Sequence, residues 1–416
     1  MKKVYTISEA ADILGKSKET LRRWDKSGKL CAVREPMSNY RVYKKEQLMI
    51  FDEFEQSYKR EVKEIQPTDN YTVLELFAGA GGLAIGLEQA GLKCVALNEL
   101  DHWAAETLRV NRPNWNVIEG DIRNLSFSHL RNKVDVVTGG FPCQAFSYAG
   151  KKLGLQDARG TLFYEFARVV QETSPAICIG ENVRGLLNHD SGRTLKGMIS
   201  ILDEIGYRVL EPKILKAIYY NVPQKRERLI LVGVRKDITV DFEYPQSNNK
   251  IYTLKDALKK GELFNCDVPD SAGSKYPISK QNILDLVPAG GYWRDLPLEL
   301  QKKYMQKSFY LGGGKTGIAR RISWDEPCLT LTCSPAQKQT ERCHPEETRP
   351  FTVREYARIQ TFPDDWRFTG AVNQQYKQIG NAVPVNLAKA IGISIVNFLN
   401  EKKMSDTHTH AEVMQA

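Results

Sequence analysis

The stretch TVLELFAGAGGLAIGLEQAG, residues 72–91, decides the fold. An apolar run of strand length is followed at once by a glycine turn, AGAGG, and then by a helical stretch. Further strand-like runs follow, with helical stretches such as residues 161–172 between them; they are KCVALNE (93–99), DVVTGG (135–140), AICIGENV (176–183) and RLILVGV (228–234). Strands that alternate with helices predict an α/β fold with a doubly wound, mostly parallel sheet, whose ligand lies beyond the carboxyl ends of the strands.

The residues at these strand ends indicate the kind of ligand. The turn reads GAGG and not GxGxxG, so the dinucleotide fingerprint is absent. Glu99 ends the second strand, where a carboxylate can bind both hydroxyls of a ribose, and Asp121 ends the third, where it can bind the amino group of adenine. Carboxylates for ribose and adenine without a pyrophosphate cradle favour S-adenosyl-L-methionine over NAD as the cofactor.

Three kinds of reactive side chain are expected at the same end of the sheet. Cys143 follows the strand at 135–139, and Glu181 ends the next strand. The run VPQKRERLIL begins a further strand and brings Arg226 and Arg228 to that end. A thiol, a carboxyl group and guanidinium groups beside the cofactor are suited to nucleophilic addition to an electron-poor ring.

The chain resembles the DNA cytosine-5 methyltransferases in the order and spacing of six motifs: ELFAGAGGL, GDI, GGFPCQAFS, ENV, QKRER and QYKQIGNAVPV. The resemblance extends over residues 71–399. It implies that the Cys143 thiolate adds to C6 of cytosine while Glu181 protonates or hydrogen-bonds N3. It also implies that Arg228 holds the cytosine O2 and orients Glu181, with Arg226 beside it.

The same resemblance assigns the other contacts residue by residue. The target base must be flipped out of the duplex, and the glycine-rich stretch 147–160 is similar to a loop that closes over it. The implied contacts to S-adenosyl-L-methionine come from Phe77, Gly79, Gly81, Gly82, Leu83, Glu99, Leu100, Asp121, Ile122, Pro142, Asn381 and Ala382. The implied contacts to DNA come from Gln144, Ser147, Thr330 and Leu331. Leu100 stands where an aromatic residue is common in relatives, which weakens the expected stacking on adenine.

The first fifty residues form a separate basic segment. Residues 1–45 carry twelve Lys and Arg against five Asp and Glu, which is +7 of the total charge of +9. The run YTISEAADILGKSKETLRRWDKSGKL predicts a helix capped by Ser8 and ended by Gly15, then a helix capped by Ser17 with a basic outer face. The following NYRVYKKEQL alternates like a hairpin wing.

This segment resembles the winged helix-turn-helix of the MerR and excisionase type. The resemblance implies that the second helix binds duplex DNA through four basic side chains: Lys18, Arg22, Arg23 and Lys26. A helical packing module that binds protein is the alternative. We assign residues 1–50 to this domain and residues 51–70 to a helical linker.

The catalytic domain is predicted over residues 71–234, and the alternation of strands and helices stops after it. Residues 235–345 resemble the family's smaller target-recognition domain, because glycine loops and basic residues fill this slot. Residues 346–400 then return to the catalytic domain, and the polar tail 401–416 is predicted to be disordered. Cys328, Cys333, Cys343 and His344 do not have the spacing of a standard zinc finger, so no metal is predicted.

The composition limits the remaining choices. The chain has 416 residues, no apolar run of membrane-spanning length and eight cysteines without a CxxC pair, which favours a cytoplasmic protein with no membrane partner. The resemblance implies a bacterial, nucleoid-associated enzyme. We predict a sequence-specific DNA cytosine-5 methyltransferase of a restriction-modification system, whose head also binds operator DNA and regulates transcription. It would act as a monomer on its methylation site, with dimerisation on an operator left open. The alternatives are an RNA cytosine-5 methyltransferase and a DNA-binding regulator with an idle methyltransferase body.

Overall fold

The computed structural model describes residues 4–14, 16, 18–35, 40–51, 66–142, 161–248, 250–311 and 315–415, without the side chains of residues 8, 9, 12 and 408–415. The chain divides into two compact units. One is Met1–Lys63 with Gln246–Lys250, and the other is Glu64–Pro245 with Ile251–Ala416. The boundary near residue 63 falls inside the predicted linker at 51–70.

The N-terminal unit contains two helices and a small sheet. Its elements are β1 (Val4–Thr6), α1 (Ile7–Ile13), α2 (Lys18–Lys26), β2 (Val33–Arg34), β3 (Arg41–Lys44) and α3 (Lys45–Leu48). β3 pairs antiparallel with both β1 and β2, so the predicted wing is present. The predicted cap at Ser8 is wrong, because α1 already begins at Ile7 and places Ser8 inside the helix. Gly15 and Ser17 lie outside the described residues.

The inward positions of the head explain why it folds. In α1 the apolar residues recur at helical spacing, and Ala10, Ala11, Ile13 and Leu14 are all buried. Leu21 is the buried residue of α2. The head therefore has an apolar centre of its own, as predicted.

The large unit is built on an eight-stranded sheet with the order β10-β12-β8-β7-β4-β5-β6, and β9 pairs with β12. The strands are β4 (Thr72–Leu76), β5 (Lys93–Glu99), β6 (Val117–Glu119), β7 (Val136–Gly139), β8 (Ile177–Val183), β9 (Tyr207–Val209), β10 (Lys213–Lys216) and β12 (Glu227–Arg235). β4, β5, β6, β7 and β8 run parallel, and β12 is antiparallel to its neighbours. The predicted α/β, doubly wound and mostly parallel sheet is confirmed.

Helices cover both faces of this sheet. Along the first part of the unit they are α4 (Gly82–Gln89), α5 (His102–Asn111), α6 (Leu162–Thr173) and α7 (Arg193–Glu204). One buried core joins the sheet to α4 and the C-terminal helix, and a second lies on the α6 and α7 side. Both faces are apolar, which is why the strands read as continuous apolar runs.

The segment predicted for target recognition belongs to the same compact unit as the sheet. It contains α8 (Leu254–Leu258), α9 (Ile278–Leu284), α10 (Leu298–Met305) and β13 (Cys328–Leu329), which pairs parallel with β11 (Gln224–Lys225). Its middle part has its own buried cluster, centred on Trp293, Met305 and Cys343. The insert therefore has a core of its own within the unit that holds the catalytic residues.

The C-terminal part consists of α11 (Val353–Ile359), α12 (Val372–Asn381) and α13 (Val385–Gln415). The prediction of a disordered tail at 401–416 is wrong, because α13 continues through Gln415. Residues 401–415 contain no glycine or proline that would stop the helix, and Lys402 forms an ion pair with Asp406 one turn later (2.5 Å). Among the described residues, the stretch Val372–Thr407 is long and apolar enough to cross a membrane, but 72% of its apolar window is buried in the protein, as in a core helix.

Candidate active site

A cavity of about 810 Å³ opens at the carboxyl ends of the parallel strands. It is lined by the glycine turn after β4, the ends of β5 and β8, the residues before β12, part of the insert and the end of α12. The predicted residues that line it are Phe77, Gly79, Gly82, Leu83, Glu99, Leu100, Asp121, Ile122, Pro142, Glu181, Arg226, Arg228, Thr330, Leu331, Asn381 and Ala382. Of the residues predicted for catalysis and cofactor binding, the cavity therefore brings together all that the structure describes, with one exception.

Gly81 is the exception among the described residues. It does not line the cavity, and a Cβ there would lie 2.7 Å from Leu108 and 3.1 Å from Trp366. Its φ of +85° is left-handed, a conformation that favours glycine. Gly81 therefore serves the close packing at the start of α4 and not the wall of the cavity. Cys143, Gln144 and Ser147 lie outside the described residues.

Glu99 is fixed at the end of β5 by three backbone N–H groups. Its carboxylate accepts hydrogen bonds from Gly79 N (2.7 Å), Leu100 N (2.8 Å) and Asp101 N (2.7 Å). Burial raises the pKa of Glu99, and these donors oppose that shift. The donors orient the carboxylate and occupy three of its roughly four lone-pair sites, so that Oε2 keeps one site to accept from a ribose hydroxyl.

The neighbouring loop holds a second carboxylate. Asp121 is bound by the guanidinium of Arg123 through Nε (2.9 Å) and Nη2 (2.5 Å), which lowers its pKa to about 2. It is thus ionised at neutral pH and able to accept from an amino group. Leu100 is 67% exposed at the cavity rim, and Phe77 has a left-handed φ of +56°, which a bulky residue adopts only under strain.

Glu181 and Arg228 form a close ion pair in the cavity. Arg228 Nε lies 2.5 Å from Glu181 Oε1, and both side chains are nearly buried. The residues come from the antiparallel strands β8 and β12, where Ile230 lies opposite Glu181. Burial raises the pKa of Glu181, and the charges of Arg228 and Arg226 act against that shift. A carboxyl group whose pKa is raised keeps its proton to higher pH than an exposed glutamate does, and it can deliver that proton to a ring nitrogen.

Arg226 lines the same cavity as Glu181 and Arg228. It is 1% exposed and its guanidinium donates to Leu331 O (3.2 Å) and Gly380 O (2.8 Å). Burial, followed by the charge of Arg228, lowers its pKa to about 9. The guanidinium therefore joins two chain segments that form the cavity wall.

The Thr330–Leu331 pair also forms part of this wall. The Thr330 hydroxyl donates to Lys225 O (2.5 Å) and Leu331 N donates to the Gln224 side chain (3.0 Å). The Leu331 side chain is buried in the core. Both residues line the cavity, and their contact with DNA stays a prediction.

Among the cavity-lining residues that sequence reasoning missed are Glu75, Asn98, Cys333 and Lys377. The Cys333 thiol donates to Asn381 Oδ1 (2.9 Å), and Lys377 Nζ bonds Asp101 Oδ2 (2.7 Å). Lys377 and Asn381 both lie in the motif QYKQIGNAVPV. The sequence signal that could have identified Lys377 was therefore its place in that motif, four residues before Asn381. In the part of the chain that the structure describes, no three His, Cys, Asp or Glu side chains are grouped as a metal site.

In the head, the four basic side chains predicted to bind DNA are all exposed on α2. Arg22 forms a salt bridge with Glu19 one turn away (3.1 Å), and Arg23 donates to Thr20 (3.4 Å). Trp24 of the same helix stacks on Phe51 with ring centroids 5.4 Å apart. The basic side chains of α2 thus face the solvent, and Trp24 packs against Phe51.

The sequence and structure are similar to those of known proteins. The C-5 cytosine-specific DNA methylase model matches residues 71–397, and the MerR family regulatory protein model matches residues 6–43. The Escherichia coli type II methyltransferase M.Eco47II is 64% identical over 96% of this chain and 97% of its own length. M.PspPI of Psychrobacter sp. is 57% identical over 95% of this chain and 96% of its own length.

A solved structure shows the same fold at much lower identity. The Entamoeba histolytica methyltransferase EhMeth is 15% identical, with a TM-score of 0.56 over 80% of this chain and 99% of that one. The family match covers most of the chain and contains the cavity described above. The chain therefore belongs to the C-5 cytosine-specific DNA methylase family and is a DNA cytosine-5 methyltransferase with a MerR-like helix-turn-helix at its N-terminal end.

Proposed function

We propose that this enzyme methylates C5 of a cytosine within a specific duplex DNA sequence, as the modification enzyme of a type II restriction-modification system. It would act on the nucleoid in the bacterial cytoplasm, as a monomer on each site. The observation that carries the assignment is the Glu181–Arg228 pair (2.5 Å) in the same cavity as Glu99 and Asp121. Glu181, which can give a proton to a ring nitrogen, therefore lies in the same cavity as two carboxylates that can bind a nucleoside.

S-adenosyl-L-methionine supplies the methyl group in methyltransferases of this family. The cavity fits it, because Glu99 offers an oriented acceptor for a ribose hydroxyl and the ionised Asp121 offers an acceptor for an adenine amino group. Phe77 and Leu100 provide apolar surface for the adenine ring. Gly79, where a Cβ would meet nothing within 4 Å, leaves room for the methionine part.

The base would be activated by three side chains. The Cys143 thiolate adds to C6 of the flipped cytosine, and Glu181 gives its proton to N3, so that the electron pair gathers at C5. Arg228 hydrogen-bonds the cytosine O2 and holds Glu181 in place. After methyl transfer, a base removes the C5 proton, the thiolate is expelled and N3 returns its proton to Glu181, which restores the aromatic ring and the enzyme.

A trapping experiment tests this mechanism. A target duplex that contains 5-fluorocytosine should become covalently bound to the wild-type enzyme, because fluorine at C5 cannot leave as a proton does. Cys143→Ser should form no adduct and should still bind S-adenosyl-L-methionine. Bisulfite sequencing of DNA from cells that express the enzyme identifies the methylated base. No adduct with the sequence so identified would refute the proposed nucleophile.

The head supports a second, regulatory function. Its basic helix α2 exposes Lys18, Arg22, Arg23 and Lys26, and the model of MerR regulatory proteins matches this region. We propose that it binds an operator upstream of the enzyme's own gene, because modification and cleavage activities must be kept in balance. A single small unit makes few DNA contacts, so dimerisation on the operator would add affinity.

Footprinting tests the operator with the full-length protein. The double variant Arg22→Ala/Arg23→Ala should lose protection of an upstream sequence while it still methylates DNA at the wild-type rate. Lys44→Ala removes an exposed basic residue from β3, outside α2, and serves as the control. Loss of methylation in the double variant would show instead that the head contributes to substrate binding.

A further inference from the structure

The insert carries an exposed apolar tip, Tyr310–Leu311, that the proposed mechanism does not use. A short 3₁₀ turn, Gln306–Tyr310, follows α10 directly. At its end Tyr310 is 78% exposed and Leu311 is 64% exposed. Two large apolar side chains that are exposed side by side are typical of an interaction surface, so the tip requires a partner.

A cluster of aromatic rings supports the tip from inside the insert. The Tyr310 ring packs edge-on against Phe309, with ring centroids 5.2 Å apart, and Phe309 packs in the same way against Trp293 (6.0 Å). Trp293 is buried in the core of the insert. The rings thus lead from that core to the solvent, and the exposed pair stands on a fixed base.

Lys315 holds the turn by its carbonyl oxygens. Its Nζ donates to Leu311 O (2.8 Å) and to Ser308 O, and a lysine that binds the last carbonyls of a helical turn stabilises the end of that turn. Gln306 and Lys315, on either side of the tip, have left-handed φ values of +51° and +48°. Such a backbone persists only where the surrounding contacts impose it. The ammonium group of Lys315 is therefore used within the protein, where it fixes the tip.

The contacts of Glu341 place this part of the insert beside the cavity wall. The Glu341 carboxylate is fully buried and accepts from the Tyr304 hydroxyl of α10 (2.6 Å) and from Ala319 N. Tyr304 and Ala319 flank the tip in the sequence. The next residue, Arg342, donates to Thr330 O (2.9 Å), and Thr330 lines the cavity. The segment that carries the tip is thus joined through residues 341–342 to the wall of the cavity.

The chain around the tip is basic. Residues 300–324 contain six Lys and Arg and no Asp or Glu. Lys303 on α10 and Lys307 in the turn are exposed, so their charges can reach phosphates. Such a surface is complementary to a polyanion, and the substrate of this enzyme, duplex DNA, is one. An apolar pair between basic side chains fits the bases of a groove between two phosphate backbones.

We propose that Tyr310 and Leu311 contact bases of the recognition sequence, and that Lys315 positions them without itself binding DNA. The inference rests on the duplex substrate proposed above. The contact is apolar: the Tyr310 ring and the Leu311 side chain pack on the bases and exclude water, while exposed lysines such as Lys307 bind the phosphates alongside. The tip thereby contributes to sequence specificity.

The salt dependence of binding separates an apolar contact from a phosphate contact. The full-length enzyme is titrated at several KCl concentrations with a duplex that contains the sequence identified by bisulfite sequencing, and with one in which that sequence is scrambled. Tyr310→Ala should bind the target duplex about tenfold more weakly. The slope of log affinity against log salt should stay at the wild-type value, because no charge is lost. Tyr310→Phe keeps the ring and should bind with wild-type affinity.

Two lysine variants test the role of Lys315. Lys315→Met should weaken binding of the target duplex about as much as Tyr310→Ala does, again with the wild-type slope, and should add little when the two changes are combined. Lys307→Ala should instead reduce the magnitude of the slope by about 0.9, the value for one phosphate contact. The same reduction in Lys315→Met would show that Lys315 binds a phosphate and would overturn its positioning role. An unchanged slope in Lys307→Ala would overturn the placement of the turn against the DNA backbone.

Leu298→Ala is the matched control, because Leu298 is an exposed apolar residue of the same insert (56%) at the start of α10. It should bind both duplexes as the wild type does. Wild-type affinity in Tyr310→Ala, an equal loss on the scrambled duplex, a loss in Tyr310→Phe or an equal loss in Leu298→Ala would each refute the apolar contact. Thermal unfolding of each variant verifies that the fold is intact. Failure of the wild-type enzyme to methylate the duplex would instead overturn the substrate assignment.

Discussion

Gly82, the first residue of α4, should be intolerant of any side chain. A Cβ at this position would lie 2.3 Å from Val383 O, 3.2 Å from the Ala382 Cβ and 3.3 Å from Phe362. Carbon and oxygen approach to about 3.3 Å in close contacts, so the backbone at Val383 would have to move by about 1 Å. Overpacking of this kind costs about 1–3 kcal/mol. We expect Gly82→Ala to lower the free energy of unfolding in urea by about 3 kcal/mol and to weaken S-adenosyl-L-methionine binding.

Gly79 provides the matched comparison, because it lines the same cavity without close contacts. Nothing lies within 4 Å of a Cβ placed there, but its φ is +56°, which costs an alanine about 1–2 kcal/mol. Gly79→Ala should therefore be less destabilising than Gly82→Ala, while its methyl group enters the space assigned to the cofactor and weakens binding. Wild-type stability and wild-type cofactor affinity in Gly82→Ala would refute the packing argument.

Two further changes test the titrating carboxyl groups. Glu181→Gln should slow methyl transfer about a hundredfold or more with little change in DNA affinity, and the fall in the wild-type rate as pH rises through the pKa of Glu181 should be absent from its pH–rate profile. Glu75→Gln should stabilise the ligand-free protein at neutral pH. The pKa of Glu75 is raised in the folded protein, so the contribution of Glu75 to the free energy of unfolding is complete only below about pH 4.3, the usual glutamate value. That contribution is lost as pH rises through the folded-state pKa. Urea unfolding at about pH 4 and pH 7 should therefore show equal stabilities at the lower pH and a more stable variant at the higher one.

The sequence could predict which residues gather, because parallel strands end at one edge of the sheet. Glu99, Asp121 and Glu181 each follow or end such a strand, and all three line one cavity. It could not predict where Arg226 points. Arg226 and Arg228 are two residues apart, but β11 and β12 are separated at Arg226, so the two side chains need not share a face. The carbonyls that Arg226 binds lie more than a hundred residues further along the chain.

A sequence gives even less indication of which buried polar groups lack a hydrogen-bond partner. Glu75 reads as an ordinary member of the glycine-turn motif. Only the structure shows that its carboxyl is buried near Glu99 and that its Oε2 has no hydrogen-bond partner among the described residues. Helix ends were also hard to place. The tail beyond residue 400 is polar, and polarity suggested disorder, whereas continuation of a long helix requires only the absence of a residue that stops it.

Residues 330–333 of the insert and the end of α12 together form one wall of the cofactor cavity. A Cβ at Gly380 would lie 2.4 Å from Thr332 O and 2.7 Å from Cys333 N, so these two backbones are in direct contact. Arg226 ties the same segments together through Leu331 O and Gly380 O, and the Cys333 thiol reaches Asn381. Thr332 and Cys333 therefore pack directly against the end of α12, which precedes Ala382. A displacement of the insert on DNA must therefore move the wall of the cofactor cavity with it.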